Sequence, residues 1–312
     1  MHRFKFVLYR PLQLVPVLFG ISVITFVLIH AIPGDPARLL LGARATAEAI
    51  AAIRKQFGLD QPVILQYAYF VQNLMHGELG RSIIYKTPVL AVVADRIAPT
   101  LFLLIYAVLL AVLLSLVLGS IAAMQRGRVA DQVIRLFSTV GLGIPAFWLG
   151  IVLIMLFSIR LGWFPVSGYG DTFLQHLHHL FLPALTVALA MAPVLTRNLR
   201  ASLIAESTAD YVTAAKAKGL PGHVIFLHHI LRNSLLPTVN LLGVNIGWLI
   251  GGTVVVETVF SVPGLGGLMV ASIFARDYLV VQAVALILAL GVVVTNFIVD
   301  VVTVALDPRI ET

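Results

Sequence analysis

Few side chains in this sequence could do chemistry, and most of those lie inside long apolar runs. Glu257 sits in "GGTVVVETVF", Asn240 and Asn245 precede it, and Asn296 and Asp300 fall in the last apolar stretch. An acidic or amide group at membrane depth is costly, so it faces a cavity or hydrogen-bonds to another helix. For Glu257 a pathway-facing role and a local cap at the interface both stay open, while interhelical bonding suits the asparagines and local pairing suits Asp300. His176, His178 and His179 cluster between two apolar runs, and His228 and His229 in a basic segment. Three close histidines are able to touch a metal, but they equally mark a wet helix start, and Asp171 is the one carboxylate near them, so no metal site is assigned. Cysteine is absent, which excludes disulfides, zinc-thiolate sites and thiol nucleophiles. Neither HExxH nor GxSxG occurs, and "SVPGLGGL" at 261–268 is not a phosphate loop, because no GxxxxGK[ST] exists in the chain. That glycine-rich stretch, with Pro263, Gly264 and Gly266, reads as an outer turn or a flexible lip at the mouth of a pathway.

The elements that hold these residues are membrane spans. The chain has 312 residues, 60% hydrophobic and 11% charged, against about a quarter charged in soluble domains. Six stretches are long enough to cross the hydrocarbon, at about 11–32, 98–124, 134–159, 180–199, 236–260 and 280–304. Continuous apolar runs specify helices rather than barrel strands. The first is too long for a signal-peptide core and is read as an uncleaved span. Gly243, Gly247 and Gly251 recur every four residues, a small-residue row that lets another backbone approach.

Lys and Arg distribution orients the spans. Arg3, Lys5, Arg10, Arg126, Arg128, Arg135, Arg197, Arg200, Lys216, Lys218, Arg232 and Arg309 fall on one side, with only Arg160 and Arg276 in the short loops opposite. Both termini are therefore expected in the cytoplasm. The net charge of +7 is explained by this bias and not by nucleic-acid binding. Three regions result: 1–32, a cytoplasmic tail and first span; 33–97, an outer loop; and 98–312, a five-helix core with a cytoplasmic loop at 200–235. The outer loop begins with the turn "PGDP" at 33–36. Its expected hairpin has a first helix from Thr46 through Phe57, ended by Gly58, and a second from Asp60 and Pro62 through Met75.

"TAAKAKGLPGHVIFLHHILRNSLLP", from Thr213 to Pro237, is expected to form two short helices meeting at a corner. Asp210 or Ser207 caps the first, Gly219 takes the left-handed position after Lys218, and Pro221 prevents continuation. The second runs from about His223 to Arg232, with Val224, Leu227 and Leu231 as an apolar stripe to be buried on the chain's own spans or on another protein.

This stretch resembles the cytoplasmic loop of membrane subunits of binding-protein-dependent ABC importers, whose pattern is Glu-Ala-Ala, three residues, Gly, nine residues, Ile-x-Leu-Pro. Ala214, Ala215, Gly219 and Leu231 match, while Thr213, His229 and Arg232 depart from it. "ADYVTAAKAKGL" and "HHILRNSLLP" resemble the peptide branch of the family, as do "HAIPGDPARLL", "FGLDQPVILQY", "HGELGRS", "ETVFSVPGLGGL", "RDYLVVQA" and "ALDPRI". The chain is thus similar to dipeptide/oligopeptide/nickel permeases throughout its length. The resemblance implies an all-α polytopic fold of the type I ABC importer kind, with six spans and an outer hairpin after the first. It implies no enzyme activity and no cofactor on this chain, with ATP and Mg on two separate ATPase subunits. Further implied partners are a second permease subunit and an extracytoplasmic solute-binding protein, all in or at a bacterial inner membrane. Tyr211, Ala214, Ala215, Lys216, Lys218, Gly219, His223 and Leu231 would couple to the ATPase. Glu257, Asn245, Asn240, Pro263, Gly264 and Gly266 would line or gate the pathway, and Gly243, Gly247 and Gly251 would pack helices. Short peptides are the expected cargo, with glutathione or a nickel chelate next. An autonomous channel or secondary transporter would work without ATPase partners, but no inverted repeat supports it. An intramembrane enzyme would need a polar catalytic pair, which is not found.

Overall fold

The computed structural model describes residues 16–27, 46–56, 60–82 and 84–306. The "PGDP" turn, Gly58 and the basic residues of both termini lie outside the described residues. In chain order the helices are α1 (Pro16–Val27), α2 (Ala47–Gln56), α3 (Val63–Met75), α4 (Val89–Met124), α5 (Val129–Gly141), α6 (Ala146–Arg160), α7 (Phe173–Ser207), α8 (Asp210–Ala217), α9 (Gly222–Val259), α10 (Leu265–Phe274) and α11 (Tyr278–Leu306). No strand occurs among the described residues, beyond an isolated bridge between Arg81 and Pro88. The fold is that of an all-α polytopic membrane protein. Contacts divide the chain into one unit of residues 1–98 and 264–291 and another of 99–263 and 292–312.

In the first unit α2 and α3 occupy the two stretches expected to be helical after the first span, as far as these are described. The Thr46 hydroxyl accepts from the Ala49 N–H at 3.3 Å, a side-chain cap, whereas α3 starts after Pro62 with no side-chain cap. Aromatic rings hold α3 to α1, with Tyr67 5.3 Å and Phe70 5.9 Å from Phe26, and Tyr67 also shares a 2.7 Å hydrogen bond with Ser22. Val89 and Val93 of α4 pack with Leu265 and Leu268 of α10 and with Val280, Ala283 and Val284 of α11. Buried Asp277 accepts hydrogen bonds from the Ser82 hydroxyl and the Ile84 N–H, fixing the loop before α4 to the start of α11.

In the second unit α7 is the most deeply buried of the long helices. It starts with a full capping box between Thr172 and Gln175 and continues through Pro183 and Pro193. The run expected as one span over 134–159 is broken instead. It forms α5 and α6, bent 110° at Leu142–Pro145. Gly141, Gly143 and Pro145 account for the break: glycine lowers the cost of leaving the helix, and Pro145 serves as the extended residue before α6. The stretch at 261–268 is also more ordered than an outer turn. Only 261–264 is a turn, and Gly266 lies inside α10.

Candidate functional site

The corner at Gly219 is a Schellman motif built by local bonding. The Gly219 N–H reaches the Lys216 carbonyl at 2.9 Å and the Leu220 N–H reaches the Ala215 carbonyl at 3.3 Å, the pair of bonds that closes a helix on a left-handed residue. Gly219 has φ +76°, and open space surrounds it, so its backbone, not crowding, requires glycine. The capping expected of Asp210 or Ser207 does not occur. Ala209 precedes α8, Asp210 is in its first turn, and the Ser207 hydroxyl donates back to Ile204.

The second half of the corner departs further from expectation. No short separate helix exists over 223–232: α9 runs unbroken from Gly222 to Val259, with a π-helical segment at Ile225–Leu231. A wider turn shifts the side-chain period beyond 3.6 residues. Hence Ile225 and Ile230, five apart, share the buried face with Leu199, Leu203, Val212 and Ala215, while Leu231 packs at its edge. The expected stripe is not the buried one, and Leu227 is 53% exposed.

This leaves one face of the corner open. A cleft of about 780 Å³ is lined by Met124, Lys216, Leu220, Gly222, His223, Ile225, Phe226, Leu227 and Ile230. Ala214 and Lys218 are exposed and Ala215 is buried, so the two alanines serve opposite faces. Tyr211 ties three elements. Its hydroxyl donates to Glu206 at the end of α7 at 2.5 Å and accepts from Asn233 in α9 at 3.3 Å. Burial, then the Glu206 carboxylate, pushes this phenol above its ordinary range.

Among the span residues, Glu257 is fully buried and accepts a 2.6 Å hydrogen bond from Thr100. Asn245 donates to the Leu241 carbonyl at 2.7 Å and lines a cleft of about 370 Å³, together with Trp248 and the α5–α6 break. Asn240 is exposed. The glycine row is graded: a side chain at Gly243 would run into Val299, at Gly247 it would lie 3.5 Å from Val292, and at Gly251 it would meet nothing. Pro263 and Gly264 precede α10, and Gly266 is buried in it.

Residues 115–312 match the family described as binding-protein-dependent transport system inner membrane component, and residues 3–104 match its N-terminal counterpart. The chain belongs to this family. It is 41% identical over 307 residues to the glutathione transport system permease protein GsiC of Escherichia coli strain K12, covering 98% of this chain and 99% of that one. The GsiC protein of Salmonella choleraesuis is 40% identical over the same length. The fold is similar to a chain of the inward-facing MetNI methionine ABC transporter, with a TM-score of 0.57, 18% identity, and 69% of this chain and 95% of that one covered. The protein is therefore a multi-pass permease, a transport subunit rather than an enzyme.

In this permease the histidines at 176–179 hold the preceding loop to the start of α7. Rings of His176, His178 and His179 bond the carbonyls of Tyr169 at 2.9 Å, Trp163 at 2.9 Å and Ser167 at 3.0 Å. Among the described residues no group of three His, Asp or Glu comes together to hold a metal. Sequence reasoning missed Asp131. It is buried in the first turn of α5 and receives two hydrogen bonds from Arg200, from Nε at 2.6 Å and Nη2 at 2.7 Å, and one from the Gly127 N–H at 2.9 Å. An acidic residue within a cluster of arginines was the available signal.

Proposed function

We propose that this permease moves short peptides across the inner membrane and is driven by two separate ATPase subunits that dock on the Gly219 corner. A second homologous permease completes the pathway, and an extracytoplasmic solute-binding protein delivers cargo. ATP and Mg stay on the ATPase subunits, and this chain binds neither. The carrying observation is the corner itself: a rigid left-handed turn with Lys216, Leu220, His223 and Leu227 around an open cleft. Exposed apolar residues beside cations suit an acidic, partly apolar partner surface. Tyr211 braces α8 against α7 and α9, so force applied to the corner passes to two long helices. Lys218 and exposed Ala214 extend the contact face, and Ala215 and Leu231 seat it.

Gly219→Val tests this. Valine is strongly disfavoured at φ +76°, while a Cβ at this position would meet no atom within 4 Å. ATP-dependent uptake of a labelled dipeptide should be lost while membrane insertion persists, and undiminished uptake overturns the docking role. Uptake by this chain without ATPase subunits would favour an autonomous channel.

A second reading of the cargo has its own support, because the relatives named above are glutathione permeases. Glutathione is a γ-linked tripeptide and differs little in size and polarity from a short peptide. A nickel chelate is the third reading. Competition between labelled dipeptide and unlabelled glutathione for uptake separates the first two.

A further inference from the structure

Helix α5 is built for an interface. Its 13 residues span about 20 Å, short of the roughly 30 Å of hydrocarbon, and it turns away from α6 by 110°. Asp131, Ile134 and Ser138 face inward, whereas Val129, Val133, Leu136, Phe137 and Val140 are between 47% and 75% exposed along the opposite side. A continuous apolar stripe of this kind is unfavourable in water and is covered by acyl chains when such a helix lies in the interface. Arg135 and Thr139, four apart, run along one flank of that stripe.

On the same flank the basic residues converge from different helices. One cleft, of about 570 Å³, is lined by Arg135, Thr139, Arg197 and Arg200, and a neighbouring one, of about 520 Å³, includes Arg126, Arg135 and Arg200. The carboxylate of Asp131 is committed to Arg200. Among the described residues no carboxylate makes a salt bridge with Arg126, Arg135 or Arg197, although Asp131 also lines the second cleft and its charge interacts with Arg135. A bias toward positive charge at one membrane face accounts for their presence on that side, but not for their meeting around a shared hollow beside a hydroxyl and an exposed apolar stripe.

We propose that Arg135 and Arg197 form a phosphate-binding site for the headgroup of an anionic phospholipid, whose acyl chains lie along Val133, Leu136, Phe137 and Val140; Thr139 lines the hollow, its hydroxyl donating to the Arg135 carbonyl at 2.9 Å. Guanidinium forks match phosphate oxygens geometrically. A free phosphate would use the arginines but has no need of the stripe, and the stripe selects the lipid.

The test uses the full chain, purified with its partner subunits, and native mass spectrometry with phosphatidylglycerol, phosphatidylcholine and inorganic phosphate as probes. Wild type should retain phosphatidylglycerol in preference to phosphatidylcholine, and R135Q/R197Q should lower that retention on the order of tenfold. R135K/R197K should restore much of it, and Arg160→Gln, at the far end of α6, should change nothing. Both substituted arginines are exposed, which keeps the fold intact, and the single variants Arg135→Gln and Arg197→Gln supply the same reading should the pair impair assembly. Retention equal in wild type and R135Q/R197Q overturns the site. Displacement of phosphatidylglycerol by excess inorganic phosphate overturns the lipid as occupant.

Discussion

Thr100 donates a 2.6 Å hydrogen bond to Oε1 of Glu257, and both side chains are buried, joining α4 to α9. Glu257→Gln keeps an acceptor for that hydroxyl, so stability should change by less than about 0.5 kcal/mol. Glu257→Ala removes that buried acceptor and should cost about 1–3 kcal/mol. Thermal melts of the detergent-solubilised protein decide between them. Equal losses in the two variants would mean that the charge of Glu257, not its hydrogen bond, carries the effect.

The Asp131–Arg200 pair should behave differently, since removing one partner leaves the other without a countercharge. Asp131→Ala would also orphan the Gly127 N–H. Fully buried pairs lose 3–5 kcal/mol on such a cut. Arg200 keeps some solvent contact, so a loss of roughly 2 kcal/mol is expected, most of it recovered when Arg200 is replaced by Gln in the same chain. A double-mutant cycle on melting temperature measures this, and strictly additive losses would refute the coupling.

These two pairs illustrate what the sequence could and could not disclose. Apolar runs located four long apolar helices and the bent pair α5–α6, because hydrophobic length is a direct physical requirement of the bilayer, while of the first of the six expected spans only residues 16–27 are described. They understated the ends: α4 begins at Val89 rather than 98, and α7 extends from Phe173 to Ser207 rather than over 180–199. Helices continue into polar flanks that a hydropathy reading discards. The break at Leu142–Pro145 was hidden by its own apolarity, although Gly141, Gly143 and Pro145 were visible. At the corner, local chemistry made Gly219 legible, because a Schellman turn is specified within a few residues. The buried face of α9 was not, because Ile225 and Ile230 align only when the segment takes a π-helical turn, a choice made by packing against Leu199 and Leu203. The partners of Glu257 and Asp131 lie 157 and 69 residues away, a separation over which no local pattern speaks.

The glycine row of α9 should respond in a graded way. Gly243→Ala places a methyl group against Val299, Gly247→Ala makes ordinary contact with Val292, and Gly251→Ala enters open space. Overpacking costs typically about 1–3 kcal/mol, expected for the first and absent for the last. Gly251→Ala should if anything raise the melting temperature by helix propensity. A uniform response at all three positions would contradict this arrangement of α9 and α11.

Tyr211 offers a test of the brace on the Gly219 corner. Tyr211→Phe keeps the ring, 6.5 Å from that of His229, and deletes the hydroxyl that meets Glu206 and Asn233. Amide hydrogen exchange over 210–218 should rise, and ATP-linked uptake should fall while the chain remains inserted. Alkali provides an independent check. The phenol is raised above 10.0, chiefly by burial, so the folded state holds its proton more tightly than the unfolded one. The stability this contributes is fully present below pH of about 10 and is lost as pH rises through the folded value. Wild type should therefore lose protection in this segment at high pH, measured against the intrinsic base-catalysed exchange rate, whereas the phenylalanine variant, already loosened, should keep a constant protection. Parallel alkaline curves for the two proteins would mean that Glu206, Tyr211 and Asn233 touch without bracing the loop.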